Sequence, residues 1–438
     1  MQKRQRLKLL VLAKKKFKTQ VLGFFFVYVE KKHYLCTQNA CNNREMFYLI
    51  VFLILFVLAV LNVQMHDKLS SQILSSIAAL LLIAVAGLRF ETGGDWDVYT
   101  QLFAEFPSFS RLLGNPSELL KQPVEEGFVL LCAFIKSLGG TVQHLFFVVA
   151  FINITLIACA LPKYTKYPVV GLLCYFGLLY FNLEMIYIRQ ATAVALCFFA
   201  LQYIQPKKFL PFLLIVLLAC TFHRVAILML PLYFVLQAKI PTWIYIAVIA
   251  AGAVLMAAGI PWIKTIFLTV AGWLGDNYAQ KAEVYTEEIM YATARGITLG
   301  YVLNLLILIA ILCFKKKIDT LPFGTIMLNM FALSLALYYY CYELIEVSNR
   351  VRLFFFIGTI ALLPMVLEVL PLFLERLTGL IIIGLYCFAF SRAIFLEKPQ
   401  AAAYNPYQNI IDYTIHPRPS SGQQRLEQSK HFFRDERQ

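Results

Sequence analysis

Apolar runs of roughly twenty residues follow one another along this chain, separated by short polar breaks, and that pattern limits the fold more than any other feature. About twenty mostly apolar residues are what a helix needs to cross the hydrocarbon core of a bilayer. Inside lipid, backbone groups must be bonded within the segment. No ten-residue alternating pattern is present, so the spans read as helices and not as strands of a barrel. The composition agrees. Of 438 residues, 60% are hydrophobic and 15% charged, and the mean hydropathy is +0.70, which excludes a water-soluble globular chain. The expected class is therefore all-α, a polytopic integral membrane protein with about 12 transmembrane helices.

The runs fall near residues 47–64, 69–88, 144–161, 168–187, 189–205, 209–222, 225–238, 242–260, 297–314, 321–341, 353–371 and 377–396, with a half-helix over 127–138. Lys68, Lys163, Lys166, Lys207, Lys208, Lys239 and Lys315 to Lys317 occupy alternate breaks, which the positive-inside rule assigns to the cytoplasm. The other breaks are then external. They comprise 89–126, the Glu184 to Arg189 junction, His223-Arg224, the long loop 261–296 and the Glu343 to Arg352 segment.

Three parts result: a basic extension over 1–45, a membrane domain over 46–396 and a polar tail over 397–438. The extension carries +9 of the net +14. It is either a cytosolic tail on anionic lipid or an upstream extension preceding a true start at Met46. Orientation favours the second, because Phe47 opens the first span on the external side, where a translocated +9 segment opposes the positive-inside rule. The tail has too few apolar residues to fold alone and is expected to be loosely held. The ten cysteines form no Cys-x-x-Cys pair and read as small buried hydrophobes. No Gly-rich phosphate loop, Gly-x-Ser-x-Gly or His-Glu-x-x-His occurs.

Chemistry concentrates in the external breaks. Positive-inside bias puts basic residues on one face, so Arg89, Arg189, Arg224, Arg350 and Arg352 gathered on the other call for a polyanionic ligand or for carboxylate partners. Residues 87–99 end a span in Arg89, turn at Gly93 and Gly94, and present Asp95, Asp97 and Tyr99. Thr92 with Asp95 also fits a capping box. Arg189 and Gln190 open a span at head-group depth, with Glu184 as the simplest partner for the arginine. His223 and Arg224 interrupt an apolar stretch, where an ionisable pair is costly unless it meets a polar cavity; an imidazole titrating near pH ~6.5 can act as a base. Glu126 sits at a helix start, where a carboxylate is favoured anyway. Arg350 and Arg352 place two cations at a span's opening, suited to a diphosphate. Asp95-x-Asp97 is only a two-residue match to the Asp-x-Asp of metal-dependent sugar transferases, so neither metal nor cofactor is expected. Trp273, Tyr278, Tyr285 and Tyr291 suit either sugar stacking or the lipid interface.

Taken in order, these pieces resemble the EpsG-like branch of the Wzy-type bacterial polysaccharide polymerases. The matching elements are Arg89 with Gly93 or Gly94, Asp95 and Tyr99; Glu126-Gly127-Phe128; Ile188-Arg189-Gln190; Phe222-His223; Arg350 and Arg352; and Asn405-Pro406-Tyr407. Arg224 departs from the small or hydroxyl residue common after the histidine. The resemblance implies transfer of a growing glycan from undecaprenyl diphosphate to the next lipid-linked repeat unit, at the external face of the bacterial cytoplasmic membrane. Asp95 or His223 would be the base, and Arg89, Arg189 and Arg350 would hold diphosphate, with Tyr99, Glu126, Gln190, Arg224 and Arg352 also binding substrate. Its partners would be lipid-linked oligosaccharides, membrane lipid, a glycan flippase and a chain-length regulator, with no nucleic acid. A ligase using the same donor, a flippase or transporter, and a structural scaffold are the rival readings.

Overall fold

The structure is a computed structural model that describes residues 46–438 apart from His66, Pro261, 276–278, 281–282, 284–297, Arg418 and 436–438. Residues 46–438 form one compact unit. Every regular element among the described residues is helical, and the one β-type contact is an isolated antiparallel bridge between Arg89 and Asn409. Tyr278, Tyr285 and Tyr291 lie outside the described residues.

Six helical segments are long and apolar enough to cross a membrane: Phe47–Gln64, Lys68–Gly87, Val142–Tyr164, Pro168–Met185, Val347–Val369 and Phe373–Phe395. A pair over Thr242–Ala258 and Trp262–Trp273, bent by 92°, would make a seventh. The other expected spans appear as shorter helices. Residues 189–205 become Ile188–Ala200 followed by a 3-10 turn, and the stretch from 209 to 238 divides into Phe209–Cys220, a 3-10 turn over Arg224–Leu228, and Met229–Val235. Twelve helical residues rise about 18 Å, well short of a ~30 Å core. The apolar runs determine what is kept from water. The polar break Thr221 to Arg224 determines where the helix stops.

Pro168–Met185 is the central element, with 94% of its residues buried, against 39% for Phe47–Gln64 and 33% for Phe373–Phe395. It contains a π-helical turn over Phe176–Tyr180. Phe176 and Phe181 pack on Phe395, with ring centroids 5.9 and 6.0 Å apart. Between lipid-embedded helices, dispersion contacts of this kind supply the attraction that water exclusion cannot.

The breaks gather at two ends. At the lysine-bearing end, Glu368 Oε1 accepts from the Thr165 hydroxyl at 2.7 Å and from Lys166 N at 2.8 Å, and Gln205 Oε1 accepts from Phe323 N at 3.2 Å. Asn329 Nδ2 donates to the carbonyls of Leu236 and Ala238, both at 2.9 Å. The arginine-bearing breaks meet at the other end, and the tail joins them there.

The tail is not loosely held. Tyr407 stacks on Phe47 at 4.1 Å and donates to the Val85 carbonyl at 3.0 Å. Phe90 N donates to the Gln408 carbonyl at 2.8 Å, and Ile410 N to Leu88 O at 2.9 Å. Asn405 Nδ2 donates to Ile394 O at 2.9 Å. The loop after Gly87 has no helix to satisfy its peptide groups, and the tail supplies their partners. Folding onto an existing surface needs far fewer apolar residues than folding alone.

Candidate functional site

The site is built where five chain segments converge. The helix Trp96–Glu105 begins at Asp95, after a turn in which Gly93 has φ 111° and donates its N–H to Ala403 O at 2.9 Å. A side chain at Gly93 would meet the Met185 carbonyl at 2.5 Å, so only glycine suits both the conformation and the space. The expected capping box does not form. No side chain caps this helix, because the Thr92 hydroxyl donates instead to Phe90 O at 2.8 Å.

The second segment is Glu125 to Phe128. Gly127 N donates to Thr221 O at 2.8 Å, and a Cβ there would lie 2.3 Å from Thr221 Oγ1. Glycine thus lets the helix start touch the His223 loop, while Phe128 anchors it in a small core beside Tyr99, at 5.9 Å between rings. The contact turns the two carboxylates in different directions. Glu125 Oε2 forms an ion pair with Arg189 Nη1, and its Oε1 lies 3.3 Å from His223 Nδ1. Glu126 pairs with Arg224 at 3.2 Å, where the arginine side chain is 76% exposed. The inward carboxylate is therefore Glu125, which sequence reasoning passes over in favour of Glu126. Two adjacent glutamates at a helix start give no sign of which one faces inward.

Arg189 stands at the start of Ile188–Ala200 and is the hub of the site. Besides pairing with Glu125, it acts through its charge on the buried Tyr99 hydroxyl and on Asp95. Its expected partner Glu184 is engaged elsewhere, taking bonds from the Tyr175 hydroxyl at 2.5 Å and Asn153 Nδ2 at 3.2 Å. Gln190, buried, donates to the backbone carbonyl of Arg350 at 2.5 Å and so fixes the helix Ile345–Phe356 against Ile188–Ala200. The Arg350 guanidinium lies over the Tyr187 ring at 5.4 Å and within electrostatic reach of Asp95.

The charges set the protonation behaviour. Burial works against an ionised Glu125, yet the approach of His223 and the Arg189 charge outweigh it and bring the carboxyl down to about 2. Asp95 moves the other way. Burial, then the neighbouring Asp97, push it above its ordinary range, and Arg350, Lys430 and Arg189 only partly offset this. One carboxylate is thus locked as an anion, while the other is a stronger base than a free aspartate. Trp96 Nε1, Arg189 Nε and Gln190 Oε1 are buried and form no hydrogen bond among the described residues. Unsatisfied buried polar atoms are uncommon in folded proteins, and here they border the same cations and carboxylates.

Not every expected residue belongs to this set. Arg89, expected on diphosphate, is 1% exposed; its guanidinium donates to the Glu184 carbonyl and lies over the Phe146 ring at 4.7 Å. It welds the loop to the central helix and is enclosed by protein. Arg350 and Arg352 do not act as a pair. Both lie in the opening turns of the span Val347–Val369, within the helix Ile345–Phe356, and Arg352 packs over Tyr338 and Phe356 at 5.7 and 5.3 Å. Two residues of helix separate their directions by about 200°. Arg224 sits at the exposed rim with Glu126.

The sequence pattern of the EpsG family matches residues 72–409. The chain belongs to the EpsG family. The match spans the site from Arg89 to Arg352 and extends through the Asn405-Pro406-Tyr407 segment that closes the 88–93 loop. EpsG membership places this chain among polymerase-like membrane proteins of polysaccharide biosynthesis. No curated protein and no solved structure matches the chain.

Proposed function

We propose that this EpsG-family protein is a polysaccharide polymerase. It moves a growing glycan from undecaprenyl diphosphate to a hydroxyl of the next lipid-linked repeat unit, at the external face of the bacterial cytoplasmic membrane. The observation that carries the reading is the Arg189 hub. A cation at a helix start, neutralised by Glu125 and flanked by Arg350, is suited to exchange its carboxylate partner for a diphosphate.

In the proposed reaction the acceptor oxygen bonds to the anomeric carbon as the bond from that carbon to the diphosphate oxygen breaks. Asp95 takes the hydroxyl proton, its basicity raised by burial. Undecaprenyl diphosphate departs with the bonding electrons, and Arg189 and Arg350 stabilise its charge. Tyr99 and Gln190 position these two cations, and Arg89 positions the loop that carries Asp95. Arg224 and Glu126 form the rim, and Arg352 supports the helix that carries Arg350. A flippase and a chain-length regulator are the partners this role implies.

A second assignment keeps the reaction but makes His223 the base, oriented by Glu125 at 3.3 Å. The two are separated by Asp95→Asn and His223→Gln. The variant of the true base loses chain growth while still binding lipid-linked oligosaccharide.

The test is the glycan ladder of a deletion strain complemented with wild type or Arg189→Ala. Wild type should restore long chains and the variant only single repeat units. Full-length chains left on the lipid carrier in the deletion strain would indicate a ligase instead. An unchanged ladder with Arg189→Ala would overturn the assignment.

A further inference from the structure

The helix Gly422–Asp435 lies beyond the residues matched by the family pattern, and the reaction above makes no use of it. Its docking is nevertheless detailed. Arg425, 5% exposed, donates to the carbonyls of Pro406 and Glu91, both at 2.9 Å, and reaches Thr92 Oγ1 at 3.4 Å. Gln408, also buried, holds Ser421 Oγ at 2.8 Å and Ser420 Oγ at 3.0 Å. Ser429 donates to Gln400 O at 3.2 Å. A Cβ on Gly422 would lie 2.4 Å from the Cβ of Glu91, so the helix begins flush against that residue. Glu91 itself has φ 43°, a left-handed conformation unusual for a glutamate, and its carbonyl is the one Arg425 holds.

The helix buries Leu426 in the main apolar core, and a buried arginine beside it is costly unless its donors are used. The consequence of the docking lies at its far end. Lys430 Nζ lies 3.4 Å from Asp97 Oδ2, over the turn that carries Asp95. We propose that the C-terminal helix is a working part of the acceptor side of the site, locked by Arg425 to the Glu91 and Thr92 turn so that Lys430 serves as a positioning residue for Asp95 and Asp97. This rests on the reading of Asp95 as the base.

The groups that act on Asp95 are Asp97 from its own helix, Arg350, Arg189 and Lys430 from three other helices, and the hydroxyls of Tyr99 and Tyr404. Lys430 is the one cation among them that comes from outside the membrane domain. Removing its charge leaves Asp97 less opposed, so Asp95 holds its proton to higher pH. As a base requires the deprotonated form, the acid limb of activity must then move upward.

Two measurements on the full-length protein decide the matter. In proteoliposomes, trypsin should cut after Arg425 at least tenfold faster in Gly422→Leu than in wild type, because a bulky side chain there separates the helix from Glu91. Equal rates would overturn the docking. In membranes supplied with lipid-linked repeat units, Lys430→Ala should move the acid limb of ladder formation up by about half a pH unit, and Lys430→Arg should restore it. An unmoved limb would overturn the positioning role while leaving polymerase activity established. If the wild type itself makes no ladder, the polymerase reading and the role of Lys430 fail together, and the trypsin result alone still decides whether the helix is docked.

Discussion

Glu125→Gln removes one charge and almost no volume from the centre of the site. The Glu125 carboxyl titrates at about 2 against an ordinary 4.5. At ~1.4 kcal/mol per pH unit this corresponds to roughly 3 kcal/mol of preference for the anion. The group is partly solvated, so screening reduces the usable figure to about 1–2 kcal/mol. The sign follows from the depressed value. The contribution is fully present above 4.5 and is lost as pH falls through about 2. Purified protein should therefore unfold at lower temperature as Glu125→Gln than as wild type at pH 7, with the gap narrowing below pH 4.5. Ladder formation should fall at least tenfold, since Arg189 and His223 lose their common anchor. Glu126→Gln is the control. Its partner Arg224 is largely exposed, and such pairs contribute about 0–1 kcal/mol. Equal effects of the two substitutions, or a Glu125→Gln protein as stable as wild type at pH 7, would refute the inward placement of Glu125.

Asp95→Asn should separate stability from function. A carboxyl whose titration is raised by burial is destabilising when ionised, so the variant should unfold no lower than wild type at pH 7 while chain growth falls about a hundredfold. Gly127→Val should keep the protein in the membrane but abolish most ladder formation, because a side chain 2.3 Å from Thr221 Oγ1 drives the Glu125 turn away from His223. Arg89→Lys and Arg189→Lys should fail differently. Lysine cannot reproduce the fork, so the first should lower the yield of folded protein in size-exclusion chromatography, and the second should leave yield unchanged and shorten the glycan at least tenfold.

Much of this organisation was legible in the residues. Apolar runs announced a helical membrane protein, and the alternation of lysine-bearing and arginine-bearing breaks marked the two ends of the bundle. Arg189, His223 and Arg350 stood out because an ionisable group beside an apolar run is costly without a purpose. Three things were not legible. Helix continuity was hidden, since Phe209–Cys220 is as apolar as a full span but is cut short by Thr221. The direction of a side chain was hidden wherever neighbours share a type, as with Glu125 and Glu126 or Arg350 and Arg352. The tail was misleading because its polar residues bond to peptide groups of a loop more than three hundred residues away, a partnership no local pattern reveals.

The arginines at this end of the bundle divide by the nature of their partners, and the division bears on which can meet a substrate. Arg89 donates to a carbonyl and lies over an aromatic ring, and Arg425 donates to carbonyls. Carbonyls and rings are neutral and belong to the fold, so replacing them with phosphate would leave peptide groups unbonded. Arg189 is held by a carboxylate, and Arg350 lies within reach of one. In the proposed reaction an arriving diphosphate would take the place of the carboxylate on Arg189 and bring its own negative charge to Arg189 and Arg350. Glu125, with a carboxyl at about 2, does not escape by taking up a proton at neutral pH. Displaced from Arg189, it keeps its charge and turns it fully on His223. Donor binding would then strengthen the carboxylate's hold on the imidazole, so the Glu125 and His223 contact should tighten when the donor is bound.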